Sequence, residues 1–487
     1  MLYHLYELSH AAISPARAAA NSTRLLMRNP FNPLSYTNIG RNAAAAAELM
    51  ERTTRRYKKP AFGIPTTIVK GQEVTLSEEV VWRKPFCNLI HFKKNLPTGA
   101  ISQPRLLIVA PLSGHFATLL RGTVEAMLPH TDVYITDWLD ARFVSLRQGP
   151  FTLDDYIDYV IEMIQAFRGD VHVMGVCQPG VPIMSAVALM ETNNNPFVPR
   201  SVILKGSPID TRVSPTAVNK LAEEKGTNWF RNSVITSVPW PNRGHGRLVY
   251  PGFLQLTGFM AMNLDRHMNA HKELFVNLVR GDGDSVEKHK EFYDEYLAVM
   301  DLAAEYYLQT IDQVFVKHQL PKGEMRHRGA LVDLTAINRV SLMTIEGEKD
   351  DITGKGQTEA AIHLCKGVPR WRKQHYIQPG VGHYGIFNGS RYRKEVVPRI
   401  VDFIADHDVR GSNLHYLMHR LAGEKDIAQA PEPLPPVKAV ETAAVSPEVV
   451  RLSAMAAKRS IRLKRGRSLS KRSAGPGKPN GGLRRGQ

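Results

Sequence analysis

Acyl-transfer chemistry needs a nucleophile, a base that moves its proton and an acid that orients the base. This chain offers a cysteine, an aspartate and a histidine in a suggestive order. Cys177 lies in Val171-His-Val-Met-Gly-Val-Cys-Gln-Pro-Gly180. An apolar run leads into Gly175, Cys177 follows two residues later, and a helix-like pattern begins near Val181. This is the strand–turn–helix setting of a nucleophile elbow. Such a turn needs small neighbours, because the backbone on either side closes in on it. Gly175 supplies one. The second small position, two after the nucleophile, is occupied by Pro179, with Gly180 next, a departure from the G-x-S-x-G pattern. Proline suits the first turn of a helix, where an N–H would have no partner anyway. Alone, Cys177 is equally well read as a buried inert thiol, so the argument depends on its partners.

In such a site the acid follows a late strand and the histidine follows the last one. The strand-like run at 340–345 ends in Glu346-Gly-Glu-Lys-Asp-Asp-Ile352, which puts Asp350 and Asp351 on one loop. Asp350, the first of the two, is the favoured acid, leaving Asp351 to cap or to face solvent. Next, His375-Tyr-Ile-Gln-Pro-Gly-Val-Gly-His-Tyr384 reads as a strand leading to a glycine-bracketed His383. His383 would take the thiol proton, and Asp350 would orient and stabilise the imidazolium. The helix N-terminus after Cys177 would favour the thiolate. The expected oxyanion donors are the backbone N–H of Gln178 and that of Leu112 or Ser113, in the loop Pro111-Leu-Ser-Gly-His115. His115 is expected to order that loop.

The elements needed to hold these residues can be read from the pattern. Residues 1–60 are expected to be helical, with an Ala-rich run at 43–47 and a break at Asn29-Pro-Phe-Asn-Pro33. Residues 66–69 and 80–82 read as a pair of strands. Buried-strand runs follow at 106–110, 133–136, 171–174 and 202–204, separated by helical stretches such as 156–167 and 181–190. The alternation predicts a mostly parallel, doubly wound α/β sheet. With the elbow, this is the α/β-hydrolase fold, its core at 61–206 and 337–423. Residues 207–336 are polar, aromatic-rich in places and mostly helical in pattern. They are expected to form a helical cap insertion, the alternative being a separate helical domain. A Pro-rich linker begins near residue 424 and leads into a basic tail expected to be disordered.

The 487 residues carry a formal charge of +17. Twelve Lys and Arg, with no Asp or Glu, lie from Arg451 onward, which leaves +5 on the first 450 residues. The basicity therefore belongs to the tail. Such a tail could hold polyanions non-specifically through counterion release; having no aromatic residue, it is not expected to read sequence. Cys87, Cys177 and Cys365 are few, far apart and odd in number. That argues against a disulfide framework and for a reducing, cytoplasmic compartment. No secretory signal or membrane span is expected. No Cys/His spacing suggests a metal site and no phosphate-binding glycine loop follows a strand, so no metal or nucleotide cofactor is expected.

The chain resembles the intracellular poly(3-hydroxybutyrate) depolymerases of bacteria. The residues that carry the likeness are Ala110-Pro-Leu-Ser-Gly-His115, Tyr134-Ile-Thr-Asp-Trp138, Gly175-Val-Cys-Gln-Pro-Gly180, Lys205-Gly-Ser-Pro-Ile-Asp210, Tyr250-Pro-Gly-Phe-Leu-Gln255, Glu346-Gly-Glu-Lys-Asp-Asp-Ile352 and Pro379-Gly-Val-Gly-His-Tyr384. It extends over residues 1–420 and does not include the basic tail. The resemblance implies Cys177 as nucleophile, Asp350 as acid and His383 as base. Asp350 is preferred because similar polymer synthases place their acid two residues before an isoleucine. It also implies a storage-polyester substrate in cytoplasmic granules, with the granule surface as partner and cap aromatics contacting the polymer. Water or coenzyme A could be the acyl acceptor. The competing expectations are a polyhydroxyalkanoate synthase, which would have glycine where this chain has Pro179, and an inactive granule-associated protein with a polyanion-binding tail.

Overall fold

Alanine-rich and leucine-containing stretches near the N-terminus coil as their propensities dictate. They form α1 (Leu2–Arg28) and α2 (Asn38–Thr54), joined by a turn at Asn29–Thr37, with the Thr37 hydroxyl accepting the Gly40 N–H to cap α2. The computed structural model describes residues 2–97, 102–262 and 264–408; the Pro-rich linker and basic tail lie outside them. The change to β-branched and alternating residues after position 65 yields β1 (Thr66–Val69), β2 (Gln72–Lys84) and β3 (Cys87–Lys94). The apolar runs that follow form β4 (Arg105–Val109), β5 (Asp132–Trp138), β6 (His172–Val176) and β7 (Ser201–Lys205).

Between these strands lie α3 (Arg121–Met127), α4 (Leu153–Ala166) and α5 (Gly180–Thr192). A Thr152/Asp155 capping box starts α4, whose Tyr156, Ile157, Val160, Met163 and Ile164 form a buried stripe at helical spacing. In contrast, α5 is buried on every side from Gly180 to Glu191. Such a helix has no polar face because it has no water to face.

After β7 the chain leaves the sheet and makes α6 (Ala217–Ser233), α7 (Gly252–Met262), α8 (Leu264–Arg280), α9 (Gly283–Tyr296) and α10 (Ala304–Thr310). This region is less uniformly helical than its polarity suggested. It also contains a small sheet of β8 (Thr236–Ser237), β9 (Leu248–Tyr250) and β10 (Leu302–Ala303), a hairpin of β11 (Arg326–His327) and β12 (Ala330–Leu331), and a π-helical turn at Ile311–Val316. These strands have two or three residues each, too few for a period-2 pattern to register; tertiary pairing makes them. The chain then returns through β13 (Ser341–Gly347) and β14 (Lys373–Gln378).

The main sheet runs β1-β2-β3-β5-β4-β6-β7-β13-β14, antiparallel from β1 to β5 and parallel from there on. Leu106 to Val109 of β4 are fully buried at its centre. Each such aliphatic side chain stabilises the fold by about 1.5–3 kcal/mol. From β2 onward the order is that of the α/β-hydrolases, and β6, which carries Cys177 at its end, is flanked by β4 and β7.

The N-terminal hairpin packs on the region after β7. Arg52 and Arg55 of α2 both reach Asp294 of α9, at 2.5 and 2.7 Å, and Lys290 pairs with the buried Glu48 at 3.2 Å. Tyr6 of α1 stacks on Phe253 of α7 with ring centroids 4.2 Å apart. Among the described residues no helix is long and apolar enough to cross a membrane.

Candidate active site

Cys177 sits directly after β6 with φ at +67°, a left-handed conformation that costs a non-glycine residue on the order of 1–3 kcal/mol. Backbone bonds hold it there. Its N–H donates to the Lys205 carbonyl at 2.7 Å, and its carbonyl accepts the Gly180 N–H at 3.3 Å. A Cβ on Gly175 would lie 2.5 Å from Ile183 Cδ1, and one on Gly180 would lie 2.4 Å from Ser207 Cβ. This accounts for the altered elbow. The close approach falls at Gly180 rather than at position 179, where Pro179 has φ −65° and serves as the N-cap residue of α5. The Cys177 side chain is half-buried, whereas Cys87 and Cys365 are fully buried. A short helix, Ala360–Leu364, ends one residue before Cys365.

Asp350 and His383 lie on two loops joined by backbone bonds. Glu348 N–H donates to Gln378 O at 3.0 Å and Lys349 N–H to Val381 O at 2.8 Å. His383 Nδ1 lies 2.7 Å from Asp350 Oδ2. Asp350 Oδ1 accepts the N–H groups of Ile352 and Thr353 at 2.9 and 2.8 Å. Asp351 is exposed. Burial opposes a charge on His383, but negative charge on Cys177 and Asp350, with side-chain hydrogen bonds to both, outweighs it and raises the imidazole pKa well above the ordinary value.

Gly206, which the elbow pattern does not single out, makes room for this ring. It has φ +55°, and a Cβ there would lie 3.0 Å from His383 Cε1. Its only sequence signal is its place directly after a buried strand, in Lys205-Gly-Ser-Pro. Lys205 itself is fully buried, its Nζ 4.7 Å above the Tyr392 ring, and burial lowers its pKa to about 7.

The loop after β4 is tied down from several sides. Ala110 O accepts Trp138 Nε1–H at 2.9 Å, and Tyr306 of α10 donates its hydroxyl to Leu112 O at 3.0 Å. Met300 N–H donates to Gly114 O at 2.7 Å. His115 donates Nε2–H to Tyr296 O at 3.0 Å, and burial lowers its pKa to about 4, so it is neutral and orders the loop. Leu112 N–H donates to Gln178 Oε1 at 3.2 Å. Among the described residues, no protein acceptor is bonded to the N–H of Gln178 or of Ser113. Above His383, Tyr384 contacts Tyr296 and Phe292 of α9, with centroids 6.0 and 6.2 Å apart. The buried Tyr306 anchors the loop and is not available to contact substrate.

Glu346, Glu359 and His375 bring ligand-type atoms within 4.8 Å of one another. Sequence spacing gave no hint of this group. Glu346 already accepts the N–H groups of Gly356, Thr358 and Glu359 at 2.8, 2.7 and 3.0 Å, which makes it a clasp for the segment that follows the acid.

Strand order, elbow and loop positions define an α/β-hydrolase. Residues 206–408 match the family model described as PHB de-polymerase C-terminus, a span that includes Asp350 and His383. The poly(3-hydroxyalkanoate) polymerase subunit PhaC of Haloferax mediterranei is 23% identical over 381 residues, covering 76% of this chain and 70% of that protein. In these stretches the chain is similar to polyhydroxyalkanoate depolymerases and synthases. Among solved structures, a thermophilic esterase from Thermogutta terrifontis is 12% identical, with a TM-score of 0.34, covering 71% of this chain and 98% of that one. A thioesterase domain from the curacin biosynthetic pathway is 10% identical, with a TM-score of 0.37, covering 68% and 99%. Likenesses this slight add nothing to the assignment.

Proposed function

We propose that this chain is a thiol-dependent depolymerase that cleaves ester bonds of poly(3-hydroxybutyrate) granules through an acyl-enzyme on Cys177. The observation that carries the reading is the 2.7 Å His383–Asp350 bond, set beside a cysteine held at an elbow. The Cys177 thiolate attacks the ester carbonyl, and the negative charge that forms on oxygen is met by the backbone N–H groups of Gln178 and of Leu112 or Ser113. The C–O bond breaks and the leaving alkoxide takes the His383 proton. His383, now neutral, removes a proton from water as the water oxygen attacks the thioester. The C–S bond breaks, the acid product leaves, and thiolate and imidazolium are restored. With coenzyme A as acceptor, its thiol replaces water and the product is a hydroxyacyl thioester.

The polymerase relative favours a second reading, a synthase that passes the acyl group to a chain-end hydroxyl. One experiment separates the two. Amorphous poly(3-hydroxybutyrate) granules are incubated with and without coenzyme A, using the natural chain and Cys177→Ala. The expected result is free 3-hydroxybutyrate or its oligomers, abolished by Cys177→Ala. Appearance of 3-hydroxybutyryl-CoA would change the acceptor. No product from the natural chain, with polymer made from 3-hydroxybutyryl-CoA, would establish the synthase.

A further inference from the structure

The position expected to receive the substrate oxygen is already engaged by the protein. Leu112, third residue after β4, presents one expected oxyanion donor, and the side-chain carbonyl oxygen of Gln178 accepts that N–H at 3.2 Å. Gln178 is also the residue whose own backbone N–H is the other expected donor. Its carboxamide thus folds back across the hole that its main chain helps to form. The bond it makes is chemically that of a substrate: a neutral sp² oxygen on a backbone N–H. The loop cannot relax away from it, because Tyr306 holds Leu112 O and Met300 holds Gly114 O.

We propose that the Gln178 side chain is a resident competitor in the oxyanion hole, which every substrate carbonyl must displace, and so a specificity-determining residue. The proposal rests on the reading of Cys177 as nucleophile. A neutral carboxamide oxygen matches a ground-state ester carbonyl but not an oxyanion, whose charge-assisted bonds are about twice as strong. The competitor therefore yields to the tetrahedral state. A short ester must displace it with few other contacts, whereas a polymer segment brings contacts along its length to offset the cost. Gln178 thereby disfavours small esters relative to polymer.

The test uses Gln178→Ala and Gln178→Met, both of which keep the backbone N–H; the methionine also keeps the length but lacks the acceptor oxygen. Three quantities are read: inhibition by butanal, whose carbonyl forms an S–C bond with Cys177 and moves its π pair onto oxygen; kcat/KM for p-nitrophenyl butyrate; and the rate of Cys177 alkylation by iodoacetamide, which needs no oxyanion hole. Removing a bond of this kind changes an equilibrium about two- to tenfold. Both variants are expected to bind butanal more tightly and to gain kcat/KM on the small ester by that factor. Alkylation should be unchanged and polymer should gain less. Equal or weaker butanal binding in either variant would overturn the proposal and make Gln178 a strut for the Leu112 loop. If the natural chain neither binds butanal nor is alkylated at Cys177, the nucleophile reading fails and this proposal fails with it.

Discussion

Asp350 has two carboxylate oxygens with different duties. Oδ1 accepts two backbone N–H groups and fixes the side chain, while Oδ2 receives His383. Replacing Asp350 with Asn keeps the shape but removes the charge that helps hold the proton on His383. Activity on the polymer is expected to fall about 10²- to 10⁴-fold, the range seen when a triad acid is neutralised. The alkaline limb of kcat/KM against pH reports loss of the His383 proton, so it should lie above the ordinary histidine range in the natural chain. In Asp350→Asn, with one of the two raising charges gone, that limb should move to lower pH. Asp351→Asn should leave activity within about threefold, as its side chain is exposed. If Asp351→Asn were the more damaging substitution, the acid would be misassigned.

At the scale of elements, α10 controls a loop it does not belong to. Tyr306 is fully buried, and its hydroxyl donates to Leu112 O. In Tyr306→Phe the ring still packs but the loop loses one tether. The expected outcome is a drop of about three- to tenfold in kcat with KM changed little, since the loop acts on charge formed in the transition state. A rise in KM at constant kcat would instead place Tyr306 in ground-state binding. The aromatic segments after β7 divide between two tasks: Tyr306 fastens the loop, and Phe292, Tyr296 and Tyr384 line the region above His383. Sequence alone joins these under one aromatic-rich description, because composition carries no burial.

For the molecule as a whole, a buried cation links stability to pH. Lys205 is fully buried against Tyr392, and burial lowers its pKa from 10.5 to about 7. Below about pH 7 both folded and unfolded chains hold the proton, and the cost of burying the charge is at its largest. Between about 7 and 10.5 the unfolded chain holds a proton that the folded chain has released, so stability rises with pH through that window. Lys205→Met should flatten this rise and match or exceed the natural chain near pH 6, by up to a few kcal/mol. Urea unfolding at several pH values measures it. An unchanged slope would mean that the ammonium group is better solvated than its burial implies. The same scale joins segments far apart in sequence: α2 and the Arg55 that follows it are tied to α9 through Arg52, Arg55 and Asp294.

Much was legible in the order of residues. Runs such as Leu106-Leu-Ile-Val109, short, apolar and bounded by Pro104 and Pro111, read as buried strands. The glycines around Cys177 mark places where the backbone is closely approached, and chain order puts the acid before the base. What it could not decide was set by approach between distant segments. Whether Asp350 or Asp351 meets His383 depends on how the loops after β13 and β14 zip together. That Gly206 clears space for His383, that Gly180 rather than position 179 carries the elbow's close contact, and that Gln178 folds onto Leu112 are all contacts between segments that follow different strands and lie far apart in sequence. Periodicity reports which face of an element is buried. It does not report what the buried face touches, and the chemistry of this site is made of those contacts.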